Sequence, residues 1–326
     1  MASNHSATSV EAMQSRAFGI FGAAFAMIAV GAGVTVSAEL VGYPVFGAQA
    51  VRYAVAAAIL VGAVVVLKRP FPVPHGRDWL WLIAVAATGL VLFNIAVIRS
   101  VEYAEPAAVA ILIGAVPLVL LLADSIRLRQ RPSAALVVGA VLVVIGAALV
   151  QGGGRTTIEG LAWAAVALAC EAAFTLLAVP VLGKLGAVGV SIHTCWIAAL
   201  MLGALALGVD GAAALPPMHA GAILALAYLA IVQTAIAFSL WYSAVGILGP
   251  AVAGLFAGLM PIAAALTGVI PGLTTVTPMV IGGSIIVGIG IALGLSAQTR
   301  SVDASAVAAD APDIQPEAST SRTAEA

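Results

Sequence analysis

The chain has 326 residues, 63% of them hydrophobic and 8% charged, with a formal net charge of −1 and a mean hydropathy of +1.16. Soluble domains carry roughly 25% charged and about 45–50% apolar residues, so this composition excludes a water-soluble globule and indicates a polytopic membrane protein embedded in the lipid bilayer. The near-zero net charge lacks the basic footprint of a nucleic-acid binder.

A spanning helix needs about 20 mostly apolar residues, and the sequence divides into ten such runs. They lie near 17–38, 48–67, 79–98, 105–123, 134–150, 160–179, 190–208, 219–241, 250–270 and 277–296. Residues 1–16 are polar and form an N-terminal segment expected in the cytoplasm. Residues 297–326 are rich in Ala, Ser, Thr and acidic side chains, and are expected to be a disordered cytoplasmic tail. Cys170 and Cys195 fall inside apolar runs, which argues against both a disulfide and a metal site.

Orientation follows from Lys and Arg. With a cytoplasmic N-terminus, the inside segments hold Arg16, Lys68, Arg69, Arg77, Arg127, Arg129, Arg131, Lys184, Arg300 and Arg322. The other side holds Arg52, Arg99 and Arg155. This positive-inside bias predicts both termini in the cytoplasm.

The two halves of the chain repeat each other. Pro106 and Pro117 recur as Pro250 and Pro261, 144 residues later, and the same offset carries Gly139, Val143, Ile145 and Gly146 onto Gly283, Val287, Ile289 and Gly290. Five spans per repeat is an odd number, so the second copy must lie inverted in the bilayer. The expected fold is all-α: ten transmembrane helices in two inverted five-helix repeats, 17–150 and 151–296. Such repeats typify alternating-access carriers.

Several stretches resemble the drug/metabolite transporter superfamily in its EamA-type branch. Glu105-Pro106-Ala107-Ala108 through Ile113-Gly114-Ala115-Val116-Pro117 looks like that family's fourth helix, and Gly249-Pro250-Ala251-Val252 through Gly258-Leu259-Met260-Pro261 like its ninth. Gly160-Leu161-Ala162-Trp163-Ala164 resembles the start of its second repeat, and Arg52 the arginine early in its second helix. The chain departs from the family where a Glu-Arg pair usually opens the fifth and tenth helices: here stand Gln130-Arg131 and Thr274-Thr275. The resemblance implies a central cavity between the halves and export of small metabolites or drugs.

Pro117 and Pro261 fall inside helices, where proline removes a backbone hydrogen bond and clashes one turn back. Both read as helix kinks, either bending around a site or simply tolerated. Gly254 and Gly258 make a small-residue face suited to close packing.

Glu171 is the leading site candidate. It lies eleven residues into the sixth run, or about 16 Å at 1.5 Å per residue, near the bilayer midplane. A charge there costs at least about 2.5–3.5 kcal/mol on insertion scales. No basic residue is predicted at that depth, so the carboxylate either faces a wet cavity or is protonated, and it suits proton coupling or a substrate ammonium. Helical spacing places Trp163, Phe174 and Thr175 beside it. Gln233 and Asn94 are further cavity candidates, although amides at depth also glue helices together. His193 and Trp196 read as either interfacial residues or parts of an inner gate. Trp241 and Tyr242 read as an aromatic-belt anchor, with Trp241 alternatively closing the inner mouth. Arg52 and Glu39 lie near the outer ends of adjacent helices and could pair; so shallow a site favours a structural ion pair over a substrate clamp.

The sequence contains no phosphate loop, HExxH or CxxC, and its four histidines are scattered. Neither an enzyme nor a cofactor is expected, and no metal site. The expectation is an inner-membrane exporter of small organic solutes in a bacterial cell. Amino acids with aromatic or apolar side chains are favoured, because no basic residue is predicted at depth to hold a phosphate. Lipophilic drug efflux, or a passive pore or lipid-scrambling bundle, are the alternatives. One chain suffices as the functional unit, and a homodimer is equally compatible with the sequence.

Overall fold

A computed structural model of the chain describes residues 2–309, with side chains from Met13 to Gln298. Among the described residues, ten helices are long and apolar enough to cross a membrane. In chain order they are α1 (Met13–Leu40), α2 (Val45–Val66), α3 (Asp78–Tyr103), α4 (Pro106–Leu128), α5 (Ala134–Gln151), α6 (Ile158–Leu176), α7 (Val179–Val209), α8 (Ala220–Leu248), α9 (Pro250–Gly268) and α10 (Pro278–Gln298). The last helix runs on to Ala309, past the boundary expected at 297. The rest of the expected tail, 310–326, lies outside the described residues.

Local chemistry sets several boundaries. Pro106 and Pro250 open α4 and α9 at the first turn, where the missing N–H costs nothing. Ser133 and Thr157 accept from the backbone N–H groups of Leu136 and Gly160 at 3.3 and 3.1 Å, capping α5 and α6. Gly186, with φ +68°, breaks α7 after its first two turns, so the straight part begins close to the predicted 190.

Arg16 donates to the Leu295 carbonyl at 2.8 Å, and Gln298 to the Leu248 carbonyl at 2.8 Å. The outer turns of α1, α8 and α10 therefore share one end of the bundle, called here the terminal face. Lys184 and Asp78 pair on it at 2.8 Å. On the opposite face Arg155 pairs with Glu105 at 3.0 Å, and the Tyr43 hydroxyl accepts from the His219 backbone N–H at 3.2 Å.

The repeats interlock by exchange. α1 packs against α8 and α9 of the second repeat, and α6, its counterpart, packs against α3 and α4 of the first. α5 and α10 run antiparallel and touch through glycines. A Cβ at Gly146 would lie 2.6 Å from the Gly283 carbonyl oxygen, and one at Gly283 would lie 2.6 Å from that of Gly146. The glycines that the offset of 144 makes equivalent are thus the ones that cross over between the repeats. Gly258 packs on Val143 and Val287, and Gly254 on Leu120, as a small-residue face should.

Two irregularities are also repeated. α4 is interrupted at Gly114–Ala115, and α9 passes through a 3₁₀ turn at Phe256–Gly258. Each break lies one turn before a proline, Pro117 or Pro261, where the ring denies the helix a donor. α3 and α8 carry π-helical stretches over Ala86–Leu92 and Leu229–Ile236, and adding 144 to the first range gives 230–236. In α8 the Thr234 hydroxyl donates to the Leu229 carbonyl at 2.8 Å, inside that wide turn.

Candidate functional site

A cavity of about 130 Å³ lies between the repeats. Its walls come from equivalent positions. Gly89, Phe93 and Asn94 of α3 face it, as do Gln233, Ala237 and Phe238 of α8, each pair 144 residues apart. In the first helix of each repeat the offset is 141, which carries Gly19, Ala23 and Ala26 onto Gly160, Ala164 and Ala167. It also carries Val30 onto Glu171, and both line the cavity. The pocket is therefore symmetric in shape and asymmetric in chemistry.

Glu171 is half-buried on this wall. Among the described residues its carboxylate has neither a hydrogen-bond donor nor an ion-pair partner. Around it stand the rings of Phe93, Phe174, Phe238, Trp241 and Tyr53. The Gln233 side-chain oxygen is buried with no hydrogen-bond partner, and its amide sits so tightly on Gly33 that a Cβ there would overlap it. Gly89 plays the same part for Phe174, whose Cβ would lie 2.6 Å from an added methyl. Asn94 donates to the Leu90 carbonyl on its own helix.

Towards the terminal face the cavity is closed by packed aromatics. Trp241 donates from its indole N–H to the Thr175 hydroxyl at 3.1 Å, and the Tyr242 hydroxyl donates to the Phe174 carbonyl at 3.2 Å. The Phe174 ring lies 4.8 Å from Phe238 and 5.0 Å from Tyr242, centre to centre. Tyr242 borders a second cavity on the terminal side, lined also by Phe18, Arg127 and Gly249. Towards the opposite face, Met260 lines both the central cavity and a third one of about 610 Å³, which reaches Thr35, Pro106 and Gln151.

Five of the sequence-derived site residues, Glu171, Phe174, Gln233, Asn94 and Trp241, meet at the cavity. Others are placed elsewhere. Trp163 packs with Ala96 and Val109, and Arg99 lies 5.9 Å from its ring. It precedes Glu171 by eight residues, which leaves it about 80° around the helix and two turns nearer the opposite face. Thr175 is buried behind the wall as the acceptor for Trp241, since adjacent helical residues point about 100° apart.

His193 and Trp196 do not line the cavity. The Trp196 indole N–H donates to His193 Nδ1 at 3.0 Å, which leaves Nε2 to donate to the Pro72 carbonyl at 2.7 Å. Trp79 and Phe71 meet the imidazole edge-on at 5.5 and 5.9 Å. The group fastens the α2–α3 connection to α7. Trp241 and Tyr242 are buried, which removes the aromatic-belt reading for both.

Arg52 lies deeper than sequence reasoning placed it. It lines the central cavity, only 7% exposed, instead of pairing with Glu39 near the surface. Its Nε donates to Thr234 Oγ1 at 2.7 Å and its Nη1 to Gln49 Oε1 at 3.1 Å. Counting residues along α2 gives the depth of the Cα, whereas the long side chain carries its charge inward to a hydroxyl on α8.

A family model for the EamA-like transporters matches residues 17–151 and again residues 158–296. The chain belongs to the EamA-like transporter family. Those two matches are the two five-helix repeats. Among curated proteins the chain is similar to "Uncharacterized transporter YetK" of Bacillus subtilis (strain 168), 27% identical over 258 residues, covering 76% of this chain and 78% of that protein. A solved structure described as "Crystal structure of protein" superposes with a TM-score of 0.75 at 18% identity, covering 88% of this chain and 98% of the other. That likeness concerns the fold. As an EamA-like transporter this protein is a multi-pass membrane carrier of small solutes.

Proposed function

We propose that this EamA-like transporter exports amino acids, those with aromatic or apolar side chains foremost, across a bacterial inner membrane by alternating access. The observation that carries this reading is the unpaired carboxylate of Glu171 in a small, aromatic-walled cavity between the inverted repeats. An isolated carboxylate in such a place is matched by a ligand ammonium, and the surrounding rings offer both apolar area and cation–π attraction. The cavity is close in size to one that holds a benzene ring, about 150 Å³. With the terminal face in the cytoplasm, as the Lys and Arg bias favours, the aromatic layer of Trp241 and Tyr242 closes the inner side. Substrate then enters from the cytoplasm when that layer parts, and leaves past Met260.

The test is uptake of radiolabelled amino acids into liposomes holding purified protein, with and without an imposed pH gradient. Saturable uptake above that of empty liposomes is expected for phenylalanine, leucine or their relatives. Absence of uptake across the full panel, with saturable uptake of lipophilic amines, would replace the amino-acid reading with drug efflux.

A further inference from the structure

Arg52 stands out among the charged groups of the protein. Its guanidinium is buried in the cavity wall, and all its identified partners are neutral: Thr234, Gln49, and the Tyr53 ring at 5.1 Å. Among the described residues no carboxylate oxygen lies within 4.0 Å of it, because Asp78, Glu102, Glu105 and Asp124 are paired elsewhere and Glu171 stands apart. The two hydrogen bonds use two of its five N–H groups. Burying an ionised group without a counter-ion is costly. The carboxamide of Gln49 and the hydroxyl of Thr234 do not neutralise it; they fix its orientation.

We propose that Arg52 is the seat for the carboxylate of the transported solute. A guanidinium held in place, with unused N–H groups facing a cavity, presents the planar fork that suits a carboxylate. Phosphate offers the same oxygen geometry, but the cavity's other charge is the carboxylate of Glu171. Arg52 and Glu171 match the two opposite charges of a zwitterion, whereas the second negative charge of a phosphate dianion would meet the Glu171 carboxylate. Gln233 lines the same cavity, with its side-chain oxygen buried against Gly33. The inference deepens the amino-acid reading and rests on it for the identity of the solute, while the seat itself requires only the carboxylate.

The experiment measures competition by acids and their matched amides. Purified protein is tested for binding of L-phenylalanine, L-leucine, their amides, phenethylamine and 3-phenylpropanoate, and the same set is run on Arg52→Gln and Arg52→Lys. Wild-type protein is expected to bind each acid about tenfold or more tightly than its amide, the scale of one charge-assisted hydrogen-bonded contact. Arg52→Gln is expected to bind acid and amide within about twofold of each other, a margin well inside that scale. Arg52→Lys keeps the charge without the fork and is expected to fall between. A purely structural role would weaken acid and amide equally and leave their ratio unchanged, which overturns the proposal. A wild-type preference for phenethylamine over every acid overturns it as well. Tight binding of 3-phenylpropanoate alone, lost in Arg52→Gln, would overturn the amino-acid reading and leave the Arg52 seat standing. Elution of each variant as a single monodisperse species on size exclusion establishes that loss of the ratio does not reflect unfolding.

Discussion

A Cβ placed on Gly139 would lie 2.6 Å from the carbonyl oxygen of Gly290, and a Cβ placed on Gly290 would lie 2.6 Å from that of Gly139. Gly139 and Gly290 are not equivalent positions; their counterparts, Gly283 and Gly146, make the same contact with each other, as an axis passing between α5 and α10 demands. The backbones approach so closely there because both residues lack a side chain, and in lipid such small-residue contacts are a principal source of helix association.

Gly139→Leu and Gly290→Leu should therefore each destabilise the bundle by at least about 1–3 kcal/mol, the usual range for overpacking. Gly288→Leu is the control, because a Cβ at Gly288 meets nothing within 4 Å. Thermal unfolding in detergent followed by loss of the monodisperse peak would show the difference. Equal losses for Gly139 and Gly288 would mean that the glycine crossing contributes nothing special.

The Trp241–Thr175 bond makes a second prediction. Trp241→Phe keeps a ring in the layer and removes the hydrogen bond, so transport should persist with a stability cost of about 1 kcal/mol. Trp241→Ala removes the ring itself and joins the central cavity to the one beyond Tyr242. Solute should then leak through liposomes without saturation. If the alanine variant transports like wild type, the aromatic layer is not a barrier.

Glu171 sets the expected pH response. Lowering the pH protonates a carboxylate and weakens its hold on an ammonium, so amino-acid affinity should fall towards acid and rise towards alkali. Glu171→Gln should bind about tenfold more weakly at neutral pH, the scale of a charge-assisted contact, and lose most of the pH dependence. Unchanged affinity with an unchanged pH profile would assign the titration to another group.

His193 offers a prediction of the opposite kind. His193→Ala breaks the contacts to Pro72 and Trp196 and leaves the indole N–H of half-buried Trp196 without its acceptor, a loss of about 1 kcal/mol. Since neither residue lines the cavity, substrate affinity should not change. A shift in affinity without loss of stability would return His193 to the transport path.

The ten runs of apolar residues and the 144-residue offset carried most of the architecture, because hydrophobic length and small-residue spacing are properties of the chain itself. The glycines picked out by that offset are the ones that cross between α5 and α10. Glu171 could be placed at the cavity because its depth depends on its backbone position. Arg52 could not, because its charge lies at the end of a long side chain whose direction is fixed by Thr234, 182 residues away. Trp163 was misplaced by treating two helical turns as a straight column. The wide turns in α3 and α8 carry no composition signal, since Ala86–Leu92 and Leu229–Ile236 read as ordinary helix.

Those wide turns bear on ancestry. A π turn is an α-helix that has accommodated one extra residue, and here the extra residue occupies the same place in both copies. A single insertion in an ancestral five-helix polypeptide accounts for the match, whereas two separate insertions would have to coincide. The bulge is then older than the fusion of the two halves. The bulge belongs to the repeat itself, and the unlike pair of Val30 and Glu171 at equivalent points of the wall gives the pocket its direction.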